Sequence, residues 1–141
     1  MYLDSAYIAK YYVNEPDAPA VRMLIRRAPY VCSCSLALPE VTCVFQRHAR
    51  EGALTQAQGR ELIDLFRGHV EKGVWNLIPM TEGLLRRAIM LIRGLPQGVP
   101  LRACGAIHMA AALEAGEPEI WTNDRHLLAA SAHCGIAGRS V

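Results

Sequence analysis

Three acids set far apart along the chain carry its clearest chemistry. Asp4 closes the apolar opening Met1-Tyr2-Leu3, Glu40 opens Pro39-Glu40-Val41, and Asp124 sits in Trp121-Thr122-Asn123-Asp124-Arg125. Each stands at an element boundary or near the start of a helix, and a βα fold brings its loops together at one rim. Carboxylates gathered within a few ångströms repel one another, and a divalent cation relieves that repulsion. All-oxygen donors suit magnesium or manganese. Such an ion lowers the pKa of bound water and holds a phosphate. Each acid also has a plain structural use: Asp4 and Asp124 suit helix N-caps, and Glu40 favours the positive end of a helix dipole. Thr122 suits a turn or a cap in the same way.

Bringing the three acids to one rim requires alternating strands and helices, and the chain supplies them. Met1 to Asp4 reads as a buried strand and Ser5 to Val13 as a helix packed on it. Asn14 to Pro16 breaks the chain, and Asp17 then caps a helix with Pro19 in its first turn and Val21, Leu24 and Ile25 inward. Tyr30 to Cys34 reads as a strand. A helix within Ser35 to Arg50 follows, with Pro39 near its start and Gly52 as its stop. Thr55 caps the next helix, with Leu62, Leu65, Phe66 and His69 or Val70 spaced for burial and Gly73 at its end. Trp75 to Met80 is a strand, Thr81 caps a helix through Ile92, and Gly94 to Pro100 is a loop. Arg102 to Ala115 is a small-residue helix, Glu119 to Thr122 a strand, Asp124 to Ala132 a helix, and Gly135 to Gly138 a fifth strand. This alternation predicts an α/β fold, a parallel sheet covered by helices on both faces. No repeat or linker divides the 141 residues, which read as one domain, 1–141.

Composition narrows the setting. Hydrophobic residues make up 52%, yet charges interrupt every apolar stretch before the roughly 18 residues that a membrane span needs. No secretory signal opens the chain. The expectation is a soluble, cytoplasmic protein with no membrane partner. Five cysteines form no C-x-x-C pair, and the odd number argues for reduced, mostly buried thiols. Cys104 and His108 share a helix face, but a zinc site built on them lacks a second matched pair. His108 otherwise reads as a packing residue in preference to a general base, since it lies a full turn from Gly105 among small apolar neighbours, and Met80, Met90 and Met109 read as core filler. The net charge is only +2, but 13 of the 15 basic residues are arginine, whose planar fork suits phosphate oxygens. Arg26, Arg27, Arg47, Arg50, Arg86 and Arg87 equally suit solvated helix faces.

These segments together resemble the PIN-domain nucleases, specifically the VapC-type ribonuclease toxins, over nearly the whole chain. Tyr2-Leu3-Asp4-Ser5-Ala6, followed by Lys10 and Glu15-Pro16, is similar to the family's first strand and helix. Leu38-Pro39-Glu40-Val41 is similar to its second-acid helix. Thr122-x-Asp124-Arg125-x-Leu127 with Ala129-Ala130 is similar to its last-acid segment. In the third segment the family usually reads Asp-Ala-x-His-Leu-Ala, whereas this chain reads Gly105-Ala106-Ile107-His108-Met109-Ala110. The resemblance implies a PIN-like three-layer αβα sandwich with a central parallel sheet. It implies a magnesium or manganese site on Asp4, Glu40 and Asp124, with Ser5 and Thr122 as substrate-contact candidates. It also implies an RNA substrate, a cognate antitoxin and a homodimer formed through apolar helix surfaces. Gly105 marks a degraded site position. Cys104 beside it points about 100° away around the helix and is a poor substitute. Two activities follow from the resemblance: a metal-dependent endoribonuclease impaired at Gly105, or a catalytically inactive PIN-fold protein that retains antitoxin or RNA binding.

Overall fold

A computed structural model describes all 141 residues. Five short strands, β1 (Tyr2–Leu3), β2 (Cys32–Cys34), β3 (Asn76–Ile78), β4 (Glu119–Trp121) and β5 (Ala137–Arg139), form one sheet in the order β3-β2-β1-β4-β5. Every neighbouring pair is parallel. The helices are α1 (Ser5–Tyr12), α2 (Ala18–Arg27), α3 (Ala37–Arg50), α4 (Gln56–Glu71), α5 (Glu82–Gly94), α6 (Ala103–Glu114) and α7 (Arg125–Ser131). Successive strand residues face opposite sides of a sheet, and β1 shows the division. Tyr2 enters a core with Leu84 of α5, Met109 of α6 and Leu127 of α7. Leu3 enters a second core with Ile8 of α1, Val41 and Phe45 of α3 and Phe66 of α4. The three-layer α/β sandwich with a central parallel sheet is therefore as the sequence indicates.

The strand order reverses at β1. From β1 the chain steps outward to β2 and β3, then returns to place β4 on the other side of β1. Open parallel sheets have their crevice at such a switch point, outside the carboxyl ends of the strands. Asp4 follows β1, and Asp124 lies just beyond β4. Glu40 is in the first turn of α3, which follows β2.

Local signals set most boundaries. The Asp4 Oδ1 caps α1 by accepting from the Tyr7 N–H at 2.9 Å. Thr55 and Gln58 exchange both bonds of a capping box at α4, and Thr81 caps α5. Gly52 and Gly73 take φ of +78° and +72° just past α3 and α4, a backbone state that glycine enters without steric cost.

Several readings need correction. Asp17 stands at the N-cap of α2, but its side chain makes no capping bond; Lys10 and Asn123 hold its carboxylate instead. The strands are shorter than their apolar runs, so Tyr30, Trp75 and Met80 lie outside β2 and β3. Gly135 is a turn residue with φ +73°, which puts β5 at Ala137–Arg139. Helix α5 runs on through Gly94. Leu65, Met80 and Met90 are exposed rather than core residues, while Met109 is fully buried. Only Cys32 and Cys34 of the five free thiols are buried. The six arginines singled out above all lie exposed. No helix is long and apolar enough to cross a membrane.

Candidate active site

A cavity of about 330 Å³ opens at the switch point, and Asp4, Glu40 and Asp124 all line it. Ser5, Asn123 and Cys104, Gly105 and His108 of α6 complete its polar side, and Val44 and Leu127 are among its apolar walls. Cys104 thus lies nearer the chemistry than its angular position on α6 suggests. The three acids are held in quite different ways.

Asp4 is buried. Its Oδ1 is occupied by the Tyr7 N–H, and its Oδ2 accepts from the Thr122 hydroxyl at 2.5 Å. Burial raises this carboxyl above its ordinary value, against the bond from Thr122 and the charges of His108 and Lys10. Thr122 Oγ1 in turn accepts from the Asp124 N–H at 2.9 Å. One threonine therefore ties the first acid to the backbone of the last. It is fully buried, so it acts inside the wall and presents no group to the cavity. Asp124 is exposed and caps α7, accepting from the His126 N–H at 2.8 Å.

Glu40 Oε2 accepts from the Ser5 hydroxyl at 2.5 Å and from His108 Nε2 at 2.9 Å. Burial alone would raise this carboxyl, but the bonds from His108 and Ser5 and the His108 charge bring it below its ordinary value. His108 is buried, and its Nδ1 lies 2.8 Å from the Tyr2 hydroxyl and 3.7 Å from the Cys34 sulfur. Burial would lower the imidazole, yet contacts with Cys34 and Glu40 and the charge of Asp4 raise it to about 10. In the protonated ring both nitrogens donate, Nε2 to Glu40 and Nδ1 to Tyr2. The sequence favours His108 as a packing residue over a general base or a zinc partner of Cys104. Its spacing on α6 puts it one turn beyond Gly105, but nothing in the sequence shows Tyr2, Ser5 and Glu40 converging on it.

Gly105 contributes no side chain. A Cβ built there meets Leu101 Cδ1 at 3.0 Å and Leu127 Cδ1 at 3.7 Å, so leucine side chains crowd the place where an acid would stand. As arranged, the side chains do not fit a resident divalent ion: no three of Asp, Glu, His or Cys are gathered at metal-holding distances. Both Asp4 oxygens are already hydrogen-bonded, and Glu40 is paired with an internal cation. The pairing of Cys104 with His108 gathers no zinc set either.

A parallel sheet wrapped in helices on both faces carries acids from the β1–α1 joint, α3 and the β4–α7 joint around one crevice. The chain belongs to the PIN-domain family, whose profile matches residues 1–132. PIN domains are generally nucleases that use divalent metal ions. No curated protein matches the chain.

Proposed function

We propose that this chain is an endoribonuclease toxin of a toxin–antitoxin system, related to the VapC type, whose hydrolysis of RNA phosphodiesters is impaired at Gly105. The observation that carries the reading is the placement of Asp4, Glu40 and Asp124 around one cavity in a PIN-domain chain with glycine at the fourth place. An acidic cavity repels a polyanion unless positive charge enters it. His108 supplies one such charge but spends it on Glu40. With no carboxylate at position 105, the set is one ligand short, and RNA phosphate is poorly held.

Each residue has a role in this reading. Asp4, Glu40 and Asp124 are the acids of the site. Ser5 orients Glu40 and borders the cavity, where its hydroxyl stands within reach of substrate. Thr122, a substrate-contact candidate by resemblance, orients Asp4 and the Asp124 backbone from within the wall. The proposal assigns magnesium or manganese to the completed site because its donors are carboxylate oxygens. The rest of the reading follows from the resemblance: one domain, 1–141, in the cytoplasm, paired with a second copy, with a cognate antitoxin covering the acidic cleft. β5 supports the domain extent, because it lies beyond the matched residues yet pairs with β4.

A second reading is favoured by the glycine itself. With Leu101 crowding position 105 and Glu40 neutralised by His108, the chain is a PIN-fold binding protein that retains antitoxin or RNA without cleaving it. Manganese titration and an RNA-cleavage assay of the chain and its Gly105→Asp version separate the two. The toxin reading expects the substitution to raise cleavage at least about tenfold, or about 1.4 kcal/mol in the barrier. For a Cβ at position 105, Leu101 has to yield a few tenths of an ångström at a flexible methyl end. RNA bound but uncut by both versions favours the binding protein.

A further inference from the structure

Lys10 is a buried ammonium that the chemistry above does not use. It is one of only two lysines among 15 basic residues, and it is 6% exposed. Its Nζ lies 2.5 Å from Asp17 Oδ2 and 3.9 Å from Glu15 Oε2, above the Tyr7 ring at 5.5 Å from the centroid. A compact, three-donor ammonium suits this space better than a planar guanidinium.

The same Asp17 oxygen also accepts from Asn123 Nδ2 at 2.5 Å. Asn123 lies between Thr122 and Asp124 and lines the cavity. Its Oδ1 accepts from the Tyr7 hydroxyl at 2.9 Å and from the Ser140 hydroxyl at 2.6 Å. Tyr7 is the residue whose N–H holds Asp4 Oδ1. One set of bonds thus runs from the last turn of α1 through the α1–α2 link to the β4–α7 turn.

We propose that Lys10, acting through Asp17 and Asn123, is a positioning residue that locks the Thr122–Asp124 turn and so aims Asp124 into the cavity. The importance of that aim rests on the nuclease reading given above; the mechanical link does not. Asp124 needs such a lock. It is exposed, and it sits between a three-residue strand and the seven-residue α7. Thr122 and the α7 cap hold its backbone, and the Asp17 bond adds the tie from Asn123 Nδ2 to the α1–α2 link, where short elements otherwise open locally. The ammonium fixes Asp17, and Asp17 fixes Asn123. A purely structural ammonium would tie α1 to α2 and leave the turn to itself.

The test uses Asp17→Ala and Lys10→Met in the full chain and in its Gly105→Asp version. Asp17 is partly exposed, so its truncation opens no core void and serves if Lys10→Met fails to fold. Amide hydrogen exchange is read at residues 122–126 and, for comparison, in α5 and β3. The proposal expects exchange at 122–126 to rise at least tenfold while the comparison amides stay within twofold. Unchanged exchange at 122–126, or a uniform rise across the protein, overturns it. In the Gly105→Asp version, Asp17→Ala should lower kcat at least tenfold with KM within twofold; an unchanged kcat also overturns it. If Gly105→Asp cuts no RNA, the nuclease reading fails, and the exchange measurement alone decides the relay.

Discussion

Replacing His108 by glutamine tests whether an imidazolium holds the cavity wall together. The ring is raised from 6.5 to about 10 in the folded protein, so the fold binds a proton there that the unfolded chain releases. The stability from this proton is fully present below pH 6.5 and is lost as pH climbs through the folded value. Each pH unit inside that window lowers stability by about 1.4 kcal/mol, or about 5 kcal/mol across all of it. Cys34 works in the opposite sense, because the fold holds its thiol below the ordinary value and gains stability as pH approaches 9. The net fall between pH 7 and pH 9 is therefore smaller than the roughly 2.7 kcal/mol that two pH units of the His108 window alone would give. Urea unfolding followed through Trp75 and Trp121 fluorescence at pH 7, 8 and 9 measures it. Glutamine keeps a neutral donor for Glu40 but cannot titrate, so His108→Gln should be less stable at pH 7 and should lose less than the parent between pH 7 and pH 9, the remaining loss coming from the raised thiols of Cys32, Cys104 and Cys134. Equal losses from pH 7 to pH 9 in parent and variant would refute the imidazolium.

Three further outcomes are expected. Asp4→Asn should raise the melting midpoint, because burial disfavours the ionised carboxyl, yet it should abolish RNA cleavage by the Gly105→Asp version; a fall in midpoint contradicts the account of burial. Gly105→Ala should stabilise the chain by up to about 0.5 to 1 kcal/mol, the usual helical gain over glycine, less the strain of moving Leu101; calorimetry that shows a loss of more than about 1 kcal/mol would mean Leu101 cannot move. Leu85, Ile89, Met90 and Ile92 leave apolar surface exposed on α5, so light scattering should find a homodimer that Ile89→Glu converts to monomer, and a monomeric parent rules out that pairing.

The layers of the fold were legible because the period changes cleanly from strand to helix and because Asp4, Thr55 and Thr81 are true caps. Strand lengths were not, since a two- or three-residue strand inside a longer apolar run carries no signal for its own end. Asp17 shows a second blind spot. An acid before Pro19 looks like a cap, and only the fold reveals that Lys10 and Asn123 both bond its Oδ2. The exposure of Met90 is not legible in the sequence, because an apolar type says nothing about which face of α5 it occupies. In the cavity the acids were found by residue type, while the roles of His108, Thr122 and Asn123 depend on partners about 70 to 120 residues away in sequence, and no local pattern encodes those.

The central position of β1 also sets a schedule. Asp4 is among the first residues synthesised, but the outside partners of its backbone and carboxylate are the Trp121 carbonyl and the Thr122 hydroxyl, which emerge near the end. Pairings of such long sequence separation form late and slowly. An unfinished or prematurely terminated chain that stops before β4 lacks Asp124, the Thr122 clasp and one wall of the cavity together. A cell translating this protein therefore meets the assembled cavity only when almost the whole chain has been made, and fragments released early lack its Asp124 side.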